Sequence, residues 1–142
     1  MRCIKLLTIL LATGMLACNP ADKSDTQREK PLHVELVKHG EKYQLVKDGT
    51  PYFIKGAGTE YEKIPLLAKC GANSCRTWST ETPGHTAKEF LDLAHKHNLT
   101  VTLGLDVKKE RLGFDYNDEE AVKKQFDYIK GEVLKYKDHP AL

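Results

Sequence analysis

The sequence has no excess of charge of either sign. Its 22 lysines and arginines are offset by 20 aspartates and glutamates, which leaves a net charge of +2. The basic residues are scattered beside carboxylates and form no basic patch that would bind nucleic acid. No predicted strand is followed by a glycine-rich phosphate-binding fingerprint, which argues against a dinucleotide fold. We therefore expect no nucleic-acid partner and no cofactor.

The N-terminus lacks a hydrophobic run long enough to cross a bilayer as a helix. The apolar run extends only from Leu6 to Leu16, whereas a spanning helix needs about 20 residues. Its length and its small closing residues are typical of a signal peptide, which we place at residues 1–17. The closing letters MLAC resemble a bacterial lipobox, which predicts cleavage after Ala17 and a lipid on Cys18. We expect a protein anchored by lipid to a membrane of the bacterial cell envelope, facing the periplasm or the cell surface. An ordinary secretory signal with a chance cysteine is the alternative.

Cysteine is also scarce in the rest of the chain. Residues 18–31 are polar, without apolar periodicity, and are predicted to be a flexible tether. The remaining residues, 32–142, allow one domain. Within that domain Cys70 and Cys75 do not form a CxxC motif, and no histidine cluster accompanies them, so we expect no metal site. Both a disulfide and two buried thiols are compatible with an envelope protein, and we favour buried thiols.

Hydrophobic periodicity predicts strands first and then an alternation of strands and helices. Two alternating segments, HVELVK and YQLVK, are separated by turn residues, and the following DGT indicates a second tight turn. Three parallel strands are predicted near residues 52–56, 73–78 and 99–105, with helices near residues 61–70, 86–97 and 118–137. Thr86 and Glu89 have the spacing of a capping box. In the last helix, an inward-facing stripe is predicted at Val122, Phe126, Ile129, Val133 and Tyr136.

Several segments together resemble a known enzyme family. VKDGTPYFIKGAG, LLAKCGANSCRTW, FLDLAHKHNLTVTLGLDV, GFDYNDEEAV and VLKYKDHPAL are similar, in order and spacing, to the start of a glycoside hydrolase (β/α)8 barrel. The resemblance covers about residues 42–142 and is strongest to the family 2 catalytic domain. It implies an α/β fold that is the N-terminal portion of a TIM barrel, about three βα units, preceded by a β-hairpin.

The resemblance also implies a function. Family 2 enzymes are retaining hydrolases of O-glycosidic bonds that use two carboxylates and a glycosyl-enzyme intermediate. Their acid/base lies on the fourth strand and their nucleophile on the seventh, so both are expected after Leu142, and no catalytic residue is expected in this chain. Since a whole barrel takes about 250 residues, we expect an N-terminal fragment that is inactive by itself. Two alternatives remain open: a β-glucanosyltransferase-like barrel and a non-catalytic carbohydrate-binding envelope lipoprotein.

Four residues are the candidates for binding a carbohydrate substrate. Strand alternation places Arg76 and Trp78 on one face and Cys75 and Thr77 on the other. The resemblance places Arg76 beside the nucleophilic glutamate, whose ionised form it would favour. Trp78 would offer an aromatic platform to a sugar ring. Asp106 and Glu60 follow predicted strands and are expected to bind sugar hydroxyls, although exposed loop carboxylates are often only solvated.

Overall fold

The first sheet is an antiparallel meander. A computed structural model describes residues 29–142, and in it β1 (Val34–His39), β2 (Lys42–Lys47) and β3 (Thr50–Pro51) pair in sequence order. The turn before β3 has two consecutive positive φ angles, 48° at Asp48 and 77° at Gly49, which is the backbone of a two-residue hairpin turn. The predicted hairpin is therefore confirmed. The predicted signal peptide, Cys18 and all of the tether before residue 29 lie outside the described residues.

The second sheet is parallel and follows the chain order β4 (Gly56–Gly58), β5 (Ser74–Arg76) and β6 (Thr100–Thr102). Parallel neighbours need a crossover connection, and helices supply it here. A 3-10 turn at Tyr61–Lys63 leads into α1 (Ile64–Lys69) between β4 and β5, and α2 (Ala87–Lys96) connects β5 to β6. The second and third parallel strands and all three helices lie within the predicted ranges.

The first parallel strand begins later than predicted. Residues 52–55 were expected in a strand, but β4 starts at Gly56. The side chain of Asn73 binds this segment instead, accepting from the Lys55 N–H at 2.7 Å and donating to the Phe53 carbonyl at 2.8 Å. Tyr52 hydrogen-bonds the Asn73 carbonyl at 2.8 Å. A side-chain amide therefore satisfies backbone groups that the sequence pattern assigned to a strand ladder.

The core lies between the parallel sheet and the first two helices. Cys75 of β5 and Val101 of β6 pack into one cluster with the buried side chains of α1 and α2: Ile64, Ala87, Phe90, Leu91 and Ala94. The predicted inward orientation of Cys75 agrees with this cluster.

A capping box fixes the start of α2. The Thr86 hydroxyl accepts from the Glu89 N–H at 3.3 Å, and the Glu89 carboxylate accepts from the Thr86 N–H at 2.8 Å. This backbone hydrogen bond lowers the pKa of Glu89. The pKa of Glu89 is therefore lower in the folded protein than in the unfolded chain. The ionised carboxylate stabilises the folded state at pH values above the ordinary pKa of a glutamate, and this contribution is lost as the pH falls through the folded-state pKa.

We expect Thr86→Ala to lower the free energy of unfolding by about 1 kcal/mol, because a helix N–H loses its acceptor. Urea denaturation followed by circular dichroism measures the change. Thr86→Ser keeps the hydroxyl and is the matched control, expected within about 0.5 kcal/mol of wild type. Equal losses for the two variants would contradict a capping role.

The predicted TIM-barrel portion is wrong. Residues 29–142 form a small mixed α/β domain with two separate three-stranded sheets and three α-helices. A barrel interior is filled by layers of bulky side chains. On the sheet face opposite the helices, Gly56, Gly58, Arg76 and Thr102 are exposed, and the small side chains of Ser74 and Thr100 hydrogen-bond each other beside Tyr52. That face therefore carries no layers of bulky side chains.

The stripe predicted for the last helix is only partly covered, because Val122 and Ile129 are half-buried whereas Phe126 and Val133 are exposed. In α3 (Glu119–Tyr136) only Tyr136 is buried, and Phe126 is 62% exposed. Beyond α3 the chain returns to the parallel sheet, where the Ala141 carbonyl accepts from the Val101 N–H at 2.7 Å. The C-terminal end of α3 is thus held at the core, while Phe126 and Val133 remain exposed.

Candidate functional site

The candidate site lies beyond the carboxyl ends of the three parallel strands. Glu60 follows β4, Trp78 follows β5 and Asp106 follows β6. In open α/β sheets this edge is where ligands bind, because the loops after the strands converge there.

Buried hydroxyl groups hold the loop that carries Trp78. Thr77 is almost fully buried; its hydroxyl donates to the Ser79 carbonyl at 2.7 Å and accepts from the Gly104 N–H at 2.8 Å. A Cβ at Gly104 would lie 2.6 Å from the Trp78 carbonyl carbon. Since real carbon contacts are about 3.5–4 Å, only glycine permits this close approach. The loop is therefore fixed against the segment that follows β6.

Thr80 and Asp106 complete this attachment. The buried Thr80 hydroxyl donates to the Gly104 carbonyl at 3.1 Å, and the Thr80 N–H donates to the Asp106 carboxylate at 3.2 Å. Asp106 was predicted to bind substrate. In the structure it anchors the loop that carries Trp78.

The indole of Trp78 is exposed to solvent at the carboxyl ends of the parallel strands. The residue is 65% exposed, and its benzo ring lies against Gly58, the last residue of β4. A rigid loop that presents an exposed indole is a feature of binding surfaces.

A pocket of about 380 Å³ opens beside Trp78. This size falls within the range of small-molecule sites. The lining residues come from the loops after β4 and β5: Thr59, Glu60, Tyr61, Glu62, Trp78, Ser79, Thr82 and Pro83. The rings of Tyr61 and His85 stack at 3.7 Å between centroids, which ties one wall to the 82–85 turn.

Both carboxylates of the pocket are exposed and paired. Glu60 lies 3.1 Å from the Lys63 ammonium, and Glu62 lies 3.2 Å from the His85 imidazole. Hydrogen bonds of the Glu62 carboxylate with its own backbone N–H and with the His85 side chain lower the pKa of Glu62. Salt bridges between exposed side chains contribute little to stability. Both glutamate side chains are mostly exposed, so their carboxylate oxygens remain accessible to a ligand.

Arg76 lies outside this pocket. It pairs in register with Gly58 and Thr102 and borders a separate depression of about 310 Å³ on the exposed sheet face. It is exposed, and no ion pair with another residue of the 29–142 range was found for it. Behind it, burial raises the pKa of the Cys75 thiol to about 11. Cys70 and Cys75 are both free thiols, but only Cys75 is buried; the expectation of a buried thiol is wrong for Cys70, which is exposed.

The structure thus brings Glu60 and Trp78 together, makes Asp106 an anchor and places Arg76 to one side. Sequence reasoning missed the anchoring pair Thr77 and Thr80. Strand alternation had already placed Thr77 on the buried face, and a buried hydroxyl requires a hydrogen-bond partner. That requirement was the available signal.

Comparison with known proteins found no matching family model and no significantly similar curated protein. Within the described range, no three metal-binding side chains come together as a candidate metal site. None of the described helices is both long and apolar enough to span a membrane.

Proposed function

We propose that this domain binds a saccharide at the Trp78 pocket, as the carbohydrate-recognising part of a glycoside hydrolase of O-glycosidic bonds. The observation that carries the proposal is the exposed indole on an anchored loop beside a pocket with two accessible carboxylates. Sugar rings have apolar C–H faces that pack on aromatic rings. Their hydroxyl groups donate to carboxylate oxygens.

The charge of the pocket favours an uncharged saccharide. Its lining includes Glu60 and Glu62 but neither lysine nor arginine. Glu60 already forms a salt bridge with Lys63, and Glu62 hydrogen-bonds the His85 imidazole. A uronic acid would bring a further negative charge into this environment, where like charges repel.

The hydrolase part of the proposal rests on the sequence resemblance. We assign the catalytic acid/base and nucleophile to neither Glu60 nor Asp106, because neither matches the catalytic pair that the resemblance implies, and Asp106 anchors the Thr80 loop. This polypeptide alone should therefore bind saccharides without turning over aryl glycosides. A non-catalytic carbohydrate-binding protein would behave in the same way.

Titration with neutral oligosaccharides tests the binding. Trp78 is the sole tryptophan, so its fluorescence reports directly on the pocket. Gluco-, xylo- and manno-oligosaccharides form one arm, and oligogalacturonides of matched length form the other. We expect a saturable emission change with at least one neutral series and a weaker response to the uronides. No response to any saccharide, or a preference for uronides, would contradict the proposal.

We further propose that the protein is held at the cell envelope by a lipid on Cys18. The support is the MLAC sequence that ends the N-terminal apolar run. Metabolic labelling with a fatty-acid analogue should mark the wild-type protein and not Cys18→Ser. Cys70→Ser is the matched control and should label like wild type. Equal labelling of Cys18→Ser and wild type would refute the anchor.

A further inference from the structure

Gly58 lies directly against the indole of Trp78. A methyl group built on Gly58 would lie 2.6 Å from Cζ2 and 2.9 Å from Cη2 of the ring. Carbon atoms in contact are normally about 3.5–4 Å apart. The indole therefore occupies the space that any side chain at position 58 would need.

We propose that Gly58 is a positioning residue for ligand binding. The absence of a side chain lets the indole of Trp78 lie on the end of β4 and face the pocket. This inference rests on the proposed function, because it concerns the orientation in which the ring meets a saccharide. Gly58 is not among the glycines with positive φ, so its backbone conformation is open to alanine and does not explain the glycine.

At two other glycines, Gly56 and Gly104, an added Cβ would also overlap a neighbour, but that neighbour is backbone and not a side chain. A Cβ at Gly56 would overlap the backbone carbonyl of Ser74, and one at Gly104 would meet the backbone of residues 77–79. At those positions a side chain would push strands or loops apart. At Gly58 it meets the far end of one side chain, which can rotate away. A substitution there should move the ring and leave the sheet in place.

The test compares Gly58→Ala with two alanine controls. Gly56→Ala disturbs the same strand through the backbone, and Gly131→Ala adds a methyl group in open space on α3. Three quantities are measured on each variant: saccharide affinity by calorimetry, acrylamide quenching of Trp78 fluorescence, and the midpoint of thermal unfolding.

For Gly58→Ala we expect affinity to fall by about two- to tenfold, the range of one aromatic stacking contact. Acrylamide quenching should increase, and the unfolding midpoint should stay close to wild type. Gly131→Ala should leave affinity and quenching unchanged. Gly56→Ala should lower the midpoint of unfolding.

A second-site variant makes the inference specific. Phenylalanine at position 78 lacks Cζ2 and Cη2, the atoms that a Cβ at Gly58 would meet. Gly58→Ala should therefore reduce affinity less in the Trp78→Phe background than in wild type. Equal losses in the two backgrounds would show that the two sites act independently and would overturn the inference.

The outcomes separate this inference from the proposed function. If wild type binds no saccharide, the proposed function fails, while the quenching measurement still tests the contact between Gly58 and the ring. Unchanged quenching in Gly58→Ala would overturn the inference whatever the ligand. A loss of unfolding midpoint as large as that of Gly56→Ala would also overturn it, since the role of Gly58 would then be structural.

Discussion

Trp78→Ala is expected to weaken saccharide binding by roughly thirtyfold or more. Truncation of a tryptophan at the centre of a binding surface typically costs about 2 kcal/mol or more, and each 1.4 kcal/mol is about a tenfold change in affinity. The exposed indole of Trp78 is an apolar surface that the pocket offers to a sugar ring. After its removal, the ligand would be held by hydrogen bonds that its hydroxyl groups donate to the carboxylates, and water competes for the same hydroxyl groups.

Isothermal titration calorimetry measures this loss, because the variant has no tryptophan to follow. Phe53→Ala is the matched control: it removes another exposed aromatic ring, 69% accessible, from the segment before β4. We expect its affinity to equal that of wild type, and that of Trp78→Phe to be intermediate. If Trp78→Ala and Phe53→Ala weaken binding equally, the ligand does not bind on the indole.

Phe90→Ala is expected to lower the free energy of unfolding by about 3–5 kcal/mol, the usual cost of removing a buried aromatic side chain. Phe90 is 0% exposed and lies in the core cluster with Leu91 and Cys75. A small domain has a net stability of only about 5–15 kcal/mol. A change of this size should therefore remove a large share of that stability and lower the urea concentration at the midpoint of unfolding.

Urea denaturation followed by far-ultraviolet circular dichroism tests this second prediction. Phe126→Ala is the matched control, since it makes the same substitution in a helix at a residue that is 62% exposed. Its effect should stay within about 0.5 kcal/mol, as for other surface changes. A loss at Phe126 as large as that at Phe90 would show that the apolar side of α3 is covered in solution.

Local signals predicted the helices well. The capping pair Thr86 and Glu89 marks the start of α2 in the sequence, and both hydrogen bonds are present. Asn98, with a φ of 57°, comes just after the end of the same helix. Capping depends on residues within one helical turn of each other, which is why the sequence alone was sufficient there.

The wrong interpretations depend on distant partners. Periodicity in α3 predicted a buried stripe that included Phe126 and Val133, but periodicity only shows that one side of a helix is apolar. Whether that side is covered depends on what the rest of the chain places opposite it. The TIM-barrel prediction failed for the same reason: three βα-like units are compatible with several sheets, and Gly56 and Gly58 leave the inner face without layers of bulky side chains.

In the candidate site, too, some features follow from local sequence patterns and others depend on residues far apart in the chain. Alternation along the strand and its extension correctly separated Cys75 and Thr77 from Arg76 and Trp78, because neighbouring side chains point to opposite faces. The position of Asp106 beneath the Thr80 loop, and of Gly58 beneath the indole, depends on residues more than 15 positions apart in the chain. No local pattern encodes such contacts.

The sequence by itself determined the helix boundaries, the tight hairpin turn and the side of the strand on which each residue of the Arg76–Trp78 segment lies. Each of these follows from steric and hydrogen-bonding preferences between residues close in the chain. Only the tertiary structure decided that the sheets are separate, that α3 is largely uncovered, and that Trp78 rests on Gly58 while Arg76 lies outside the pocket. Those features depend on which surfaces meet when the chain packs, and a side chain's role follows from its spatial neighbours.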